Sequence, residues 1–304
     1  MGVSIIIVNW NTCELLQHCL QSLDSATQDL SCQVIVVDNA STDGSAQMVK
    51  EQFPWVVLVE NLNNVGFGRA NNQALQMAES EFLLILNPDT ILQAGVVQAM
   101  VLYLNQHPAV GAIGPRILNL DGSLQVSISP MPSIFREAWR LFHMDWLYPY
   151  SRYSKARLAA QEAFEVDVLK GACILLRKEI IGGIGLFDEQ FFMYSEEVDL
   201  CWRIQKAGWQ LHWLPSVSVI HYGSQSTKQI ADQMFLELYR NKIKFFRKHQ
   251  GELSSMVYKA ILLIAALPRW LIGSLLETLC HSCQTDWKTI SRQYYMLIRA
   301  LPRL

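Results

Sequence analysis

Short apolar runs alternate with amphipathic stretches through the first ninety residues, and this alternation predicts strands and helices in turn. Ser4-Ile5-Ile6-Ile7-Val8 reads as a strand, Glu14 to Leu23 as a helix and Val34 to Val37 as a second strand. A second helix spans Ser45 to Gln52, opened by the capping residues Ser41-Thr42-Asp43. Val56 to Glu60, Phe67 to Ala78 and Phe82 to Leu86 continue the series as strand, helix and strand. These strands are apolar throughout rather than at every second residue, as in a sheet covered on both faces. The fold class is therefore α/β, with a mostly parallel central sheet flanked by helices.

Further along, Gly95 to Asn105 predicts a helix and Val110 to Ile113 a strand. Asp121-Gly122 marks a hairpin turn between Arg116-Ile117-Leu118 and Leu124-Gln125-Val126. From Ser129 to Phe164 the pattern dissolves into prolines, aromatics and basic residues, an irregular excursion of the kind that forms lids and binding loops. Regularity returns with a strand at Ala172 to Leu176, helices near Lys178 to Ile181 and from Glu197 to Ala207, and a strand near Val217 to Ile220.

Beyond Thr227 four helices are expected: Met234 to His249, Ser255 to Leu267, Trp270 to Leu279 and Ile290 to Ala300. Two domains follow, residues 1–226 and a helical extension, 227–304. The most apolar stretch, Ala260 to Leu276, is interrupted by Pro268-Arg269, so neither half reaches the ~20 residues that cross a bilayer. An in-plane anchor with Trp270 near the interface fits better, and packing on the body or on another chain is the alternative.

Charge divides the chain in the same place. From Ser226 onward 12 Lys and Arg face 5 Asp and Glu, a net of +7, while the preceding residues carry a net of −9. The basic, apolar tail suits an anionic membrane surface, and the acidic body argues against nucleic acid as a partner. Val3 onward enters the first strand with no basic leader or cleavage site, which predicts a cytoplasmic body, peripheral on the inner face of the membrane. Seven scattered cysteines suit reduced thiols. Cys280-His281-Ser282-Cys283 is half of a zinc-site pattern, with no second pair of suitable spacing.

The chemistry-bearing residues lie where strands end. Ligands in open α/β sheets bind beyond the carboxyl ends of the strands. The run ending at Leu86 meets Asn87-Pro88-Asp89-Thr90, so the Asp89 carboxylate stands where a nucleotide-bound metal would sit. Asp38-Asn39, after the second strand, pairs an acceptor with an amide that could read a nucleobase edge, and Asn9-Trp10-Asn11 ends the first strand beside it. Helix capping is the alternative for that turn. In Asn61 to Asn72, glycines precede a helix with Arg69 in its first turn, a position the helix dipole disfavours unless an anion is near, such as a diphosphate.

Together, Ser4 to Asn11, Val37 to Gly44, Asn64 to Asn72 and Leu86 to Thr90 resemble glycosyltransferase family 2, in its bacterial rhamnosyltransferase-like branch. The likeness continues through Gly171-Ala172-Cys173, Gly185 to Glu189 and Phe192 to Arg203. It spans roughly residues 3 to 226 and leaves the tail uncovered. The resemblance implies a Rossmann-like GT-A fold that binds a nucleotide-diphosphate sugar, dTDP- or UDP-linked, with Mg²⁺ or Mn²⁺, and inverts the anomeric carbon. The family's Asp-x-Asp motif falls on Asn87-Pro88-Asp89, so only Asp89 keeps its carboxylate. Glu196-Glu197 matches the family's acidic pair; Glu197 resembles the general base and Glu196 is its rival. His221 matches a position that completes the metal's ligands.

The implied reaction moves a sugar, L-rhamnose being the example, onto a lipid-linked or polysaccharide acceptor in cell-surface glycan synthesis. Trp139, Trp146, Tyr148, Tyr150 and Tyr153 are candidates to stack on sugars, to lie against lipid or simply to fill a lid. Two other readings stay open. A nucleotidyltransferase would want a Gly-rich basic loop after the first strand, where Asn9-Trp10-Asn11-Thr12 stands. A non-catalytic sugar-nucleotide-binding scaffold is suggested by Asn87.

Overall fold

The computed structural model describes residues 2–27, 30–223, 230–279 and 286–304. Twelve strands and ten α-helices are found among them. In chain order the strands are β1 (Gly2–Asn9), β2 (Ser31–Asp38), β3 (Val57–Glu60), β4 (Phe82–Leu86), β5 (Thr90–Leu92), β6 (Val110–Leu118), β7 (Leu124–Gln125), β8 (Ile128–Ser129), β9 (Phe164–Glu165), β10 (Val168–Leu169), β11 (Cys173–Arg177) and β12 (Gln210–His221). The helices are α1 (Cys13–Ala26), α2 (Ser45–Gln52), α3 (Phe67–Leu75), α4 (Val96–Gln106), α5 (Ile134–Leu141), α6 (Lys155–Leu158), α7 (Lys178–Ile184), α8 (Glu196–Lys206), α9 (Ala231–Leu279) and α10 (Trp287–Ala300).

The chain forms two compact units. The first takes residues up to Met131, Tyr153–Phe192 and the chain from Glu196; the second takes Pro132–Arg152, Met193–Ser195 and the chain from Ile230. The boundary expected between residues 226 and 227 falls among residues outside the description, and the helical unit also draws two segments from within the expected first domain.

In the first unit the main sheet runs β3-β2-β1-β4-β11-β6-β12-β5. Strands β3, β2, β1 and β4 are mutually parallel, and β11 is the antiparallel insert between β4 and β6. Because β12 lies parallel to β6, its end at His221 points the same way as the ends of β1, β2 and β4. That shared edge collects Asn9, Asp38, Asn87 and His221. Ile5, Ile7, Leu84 and Leu86 are fully buried, each stabilising the sheet by roughly 1.5–3 kcal/mol. The hairpin at Asp121-Gly122 forms as expected, joining β6 to β7 with Gly122 at φ +79°.

Strand β12 begins seven residues before the expected Val217. Pro215 hid it, since proline cannot donate to a ladder; the strand accommodates it with a register shift between Leu214 and Ser218.

In the second unit, the stretch expected to be irregular contains α5. Ser133 caps it, its hydroxyl accepting the Arg136 N–H at 3.2 Å, and Glu137 and Leu141 turn inward. Glu137 accepts from Lys242 (2.8 Å), Arg140 (2.5 Å) and the Tyr258 hydroxyl (3.2 Å). These two cations outweigh burial and hold its carboxyl down to about 2. Buried Asn241 donates to Met193 O at 2.7 Å.

The expected break at Pro268 does not occur. Helix α9 runs through it, with the Arg269 guanidinium donating back to Ala265 O at 2.6 Å and also to Leu141 O. That packing outweighs the lost backbone donor. The break expected between His249 and Ser255 does occur, at Gly251, whose φ of +86° suits glycine alone. The helix is consequently long and apolar enough, by length and composition, to cross a membrane, contrary to the expectation from its halves. Cys280 to Cys283 lie outside the described residues; Cys13, Cys19, Cys32, Cys173 and Cys201 are free thiols.

Candidate active site

Asn9, at the end of β1, is wholly buried, and its amide donates to Asp38 Oδ1 (3.0 Å) and Ser41 Oγ (3.1 Å). The other Asp38 oxygen accepts the Ser41 N–H at 2.9 Å. Asn11, at φ +52°, closes the two turns by accepting the Thr42 N–H at 2.8 Å. Asn39 reaches the next loop, donating to Asn64 Oδ1 (2.8 Å) and accepting from Asn61 Nδ2 and the Val65 N–H, both 3.1 Å. Asn9, Asp38 and Asn39 thus spend their polar atoms on one another and on the side chains and backbones of neighbouring loops. Buried polar groups so paired rigidify a loop cluster.

Gly66 begins the next wall. At φ +88°, any Cβ there would lie 2.7 Å from Phe192 O, so glycine is required both by conformation and by close approach. Arg69 stands in the first turn of α3 as expected. Its half-exposed guanidinium pairs with Glu189 at 2.9 Å, so the anion beside this helix start is a carboxylate of the chain itself. Arg69 and Asn72 in turn hold the Glu189 carboxyl below its ordinary range.

Asp89 and His221, 132 positions apart in sequence, meet at the strand ends. Asp89 Oδ1 lies 3.1 Å from His221 Nε2, and both side chains are largely buried. Backbone pairing imposes this: His221 sits opposite Thr90 in the ladder, and the Tyr222 N–H donates to Asp89 O at 3.0 Å. The opposite imidazole nitrogen, Nδ1, lies 2.6 Å from Gln125 Oε1. Gln125 Nε2 donates to Asn119 Oδ1 at 3.0 Å, which orients its oxygen toward the ring. Nδ1 is then the donor, which leaves the Nε2 lone pair facing the Asp89 carboxylate.

That donor set fits a divalent cation. Carboxylate oxygen and imidazole nitrogen both bind Mn²⁺, and adjacent ligands ~2.1 Å from one ion lie about 3 Å apart. Among the described residues no three His, Cys, Asp or Glu side chains gather to hold a metal alone. Two protein donors suit an ion whose remaining positions go to water and substrate phosphate. Asn87 approaches His221 Nε2 with its amide at 3.4 Å, so the residue that departs from the acidic motif stands at this same spot.

The acidic pair opens α8, with Asp199 completing three acids in one turn. Their environments separate them. Asp199 is fully buried against Arg203 at 2.7 Å, and Arg203 also donates to Ile184 O and Gly185 O, fastening the loop before the helix. Glu196 is buried, with Oε2 lacking any hydrogen-bond partner. Burial, then the neighbouring Glu197 charge, push its carboxyl well above the ordinary value of 4.5, which favours its neutral form. Glu197 is only half-buried. Its Cβ lies 3.8 Å from where a Cβ on Gly171 would be, and the next residue, Ala172, accepts the Asn87 N–H at 3.0 Å. Glu197 is thereby linked to the end of β4 through a two-residue step.

A raised carboxyl costs stability once pH exceeds the unfolded-state value. Glu196 is neutral in both states below about pH 4.5; above it the unfolded chain ionises first and is favoured. Glu196→Gln is therefore expected to be more stable than the parent at neutral pH, with the difference vanishing below about pH 4.5. Urea denaturation at several pH values measures this.

Gln125 is a site residue that sequence reasoning passed over, while Asn11, Ser41, Asn61 and Asn64 lie in the motif segments but were given no role of their own. Gln125 orients His221, Ser41 accepts from Asn9, and Asn61 and Asn64 hold Asn39. Of the aromatics proposed for the acceptor, Trp139 donates to Tyr148 O at 2.9 Å and packs edge-on against Tyr150, while Tyr153 packs against Phe164 in the first unit. Trp146 and Tyr148 are exposed.

The sequence model of Glycosyl transferase family 2 matches residues 4–185. The N-acetylglucosaminyl-diphospho-decaprenol L-rhamnosyltransferase of Mycobacterium tuberculosis is 33% identical over 241 residues, which cover 73% of this chain and 76% of that protein. Rhamnosyltransferase WbbL of Escherichia coli is 23% identical, over 77% of this chain and 88% of that one. Among solved structures, the mannosyltransferase PcManGT from Pyrobaculum calidifontis, in complex with GDP-Man and Mn²⁺, resembles this fold with a TM-score of 0.56. It is 19% identical, and the match covers 99% of this chain and 86% of that one.

Proposed function

Since this chain belongs to glycosyl transferase family 2 and has its GT-A fold, and is thus a glycosyltransferase of glycan synthesis, we propose that it transfers L-rhamnose, with inversion, from a dTDP-sugar to a lipid-linked glycan at the inner face of the cytoplasmic membrane. The choice of sugar and acceptor rests on the mycobacterial relative, whose name states both.

Asp89 and His221 hold Mg²⁺ or Mn²⁺ together with the donor diphosphate. The bound cation supplies charge neutralisation on the leaving diphosphate. Asn9, Asp38 and Asn39 hold the loops that wall the base. Arg69 meets the diphosphate by exchanging one oxyanion, Glu189, for another. The acceptor hydroxyl loses its proton to Glu197 as its oxygen bonds to C1 of the sugar, while the bond from C1 to the diphosphate oxygen breaks on the opposite side. Entry and departure on opposite faces invert the carbon.

The acidic pair carries this chemistry. Burial favours the neutral form of Glu196, and Asp199 is held by Arg203, which leaves Glu197, the more accessible of the adjacent pair, as the better placed base. The imidazole of His221 also offers a second protein donor where Asn87 lacks a carboxylate, which favours an enzyme over a scaffold. Purified protein with Mn²⁺, offered dTDP-rhamnose, UDP-glucose, UDP-N-acetylglucosamine and GDP-mannose with a polyprenyl-diphosphate-linked acceptor, is expected to use dTDP-rhamnose and form the opposite anomer by NMR. Preference for another donor would overturn the sugar, and a retained anomer would overturn the mechanism.

A further inference from the structure

Helix α9 beyond Gly251 has two faces of unlike surroundings. Its inner face is packed within the helical unit: Tyr258 on Glu137, Arg269 on Leu141 O, and Gly273 against the Ser291 backbone of α10, where an added Cβ would lie 3.2 Å away. Its outer face is apolar and uncovered. Leu253, Met256, Ile264, Leu271, Leu275 and Leu279 are 57–75% exposed and recur at intervals of helical pitch. Between Leu253 and Leu279 the charged residues are Lys259, Arg269 and Glu277, and of these only Glu277, in the last turn, is exposed. The row is about 39 Å long at 1.5 Å per residue, and a contiguous exposed apolar patch marks an interaction or membrane site.

Packed on α9, α10 exposes a different row. Lys288, Arg292, Tyr295 and Arg299 recur every three or four residues, followed by exposed Arg303. Arg299 lies over the Tyr295 ring, 5.7 Å from its centre, and Ser274 and Ser291 join the two helices through hydroxyls 2.7 Å apart.

We propose that the helical unit docks flat on an anionic lipid bilayer, with the 253–279 face at the acyl boundary and the α10 row on headgroup phosphates. The proposal rests on the lipid-linked acceptor read above and names the surface that would bring the enzyme to it. An apolar row accompanied by basic side chains complements negatively charged lipid. A second copy of the chain would bring a second basic row against the first. A membrane span would carry the Glu137, Arg140 and Lys242 cluster, against which the inner face is fixed, toward hydrocarbon.

Full-length protein is mixed with phosphatidylcholine vesicles with and without phosphatidylglycerol, and co-sedimentation and donor hydrolysis are followed in parallel. The parent is expected to bind the anionic vesicles. Ile264→Glu with Leu271→Glu should weaken partition about 100-fold, and Lys288→Glu with Arg299→Glu about tenfold, with loss of the salt dependence. Circular dichroism checks that both remain folded. Undiminished binding by the first pair overturns the proposal. So does a dimer that the first pair dissociates while vesicle binding persists, or protease protection that puts the two ends of α9 on opposite sides of a membrane. Lost docking with intact hydrolysis supports the surface independently of the chemistry; intact docking without turnover on any donor leaves the surface standing and removes the sugar-transfer reading.

Discussion

Replacing Glu197 by Gln is expected to lower sugar transfer about 10²–10⁴-fold while donor affinity stays nearly unchanged. Gln keeps the length and shape of the side chain and its place in the first turn of α8, so the helix start and the Arg203 anchorage of the preceding loop are undisturbed. What is lost is the basic oxygen that accepts the acceptor's proton. A base acts only as that proton moves, so the effect should fall on kcat, with KM for the donor little altered. Glu196→Gln provides the contrast. Burial favours the neutral form of Glu196, which is closer to an amide in charge, and its substitution should cost far less activity while raising stability. Normal turnover by Glu197→Gln would end the base assignment; a severe loss in Glu196→Gln with a mild one in Glu197→Gln would move it one residue back.

The two acids also mark the limit of what was legible in sequence. Adjacent glutamates at a helix start read alike in a string of letters. Only burial separates them, and burial comes from residues far away in the chain. The same holds elsewhere in the site. Asp89 and His221 were readable because a carboxylate ending one apolar run and an imidazole ending another fall where sheet topology gathers strand ends. Gln125, which orients the imidazole, lies 96 residues from it in a two-residue strand with no periodicity to reveal it.

Elements bounded by their own chemistry were readable. Helix α2, opened by Asp43 and Gly44, and β4, closed by Asn87-Pro88, occupy the residues their patterns predict. Elements decided by tertiary packing were hidden: β5, which is three residues long, the half of β12 before Pro215, and α5, whose inward residues include a glutamate. Pro268 misled for the same reason. Its local cost is real, but a guanidinium from the next residue and burial of Ala265 and Ala266 beside it carry the helix through.

The metal site makes the second large prediction. Asp89→Asn should weaken Mn²⁺-dependent donor binding by about 100-fold or more, since a hard cation loses its only anionic protein donor. The fold should survive, because the ladder at this point depends on the Asp89 carbonyl accepting from Tyr222 and on Thr90 opposite His221, which the amide leaves intact. Calorimetric titration of the nucleoside diphosphate with and without Mn²⁺ separates the two contributions. The metal-dependent part should collapse in Asp89→Asn and fall in His221→Ala, whereas metal-free nucleotide binding should stay close to that of the parent. Two ligands of one ion act as a unit, so the double variant should be little worse than Asp89→Asn alone. Fully additive losses would mean that Asp89 and His221 serve separate partners despite the 3.1 Å between them, and an unchanged Mn²⁺ response in both single variants would place the cation elsewhere.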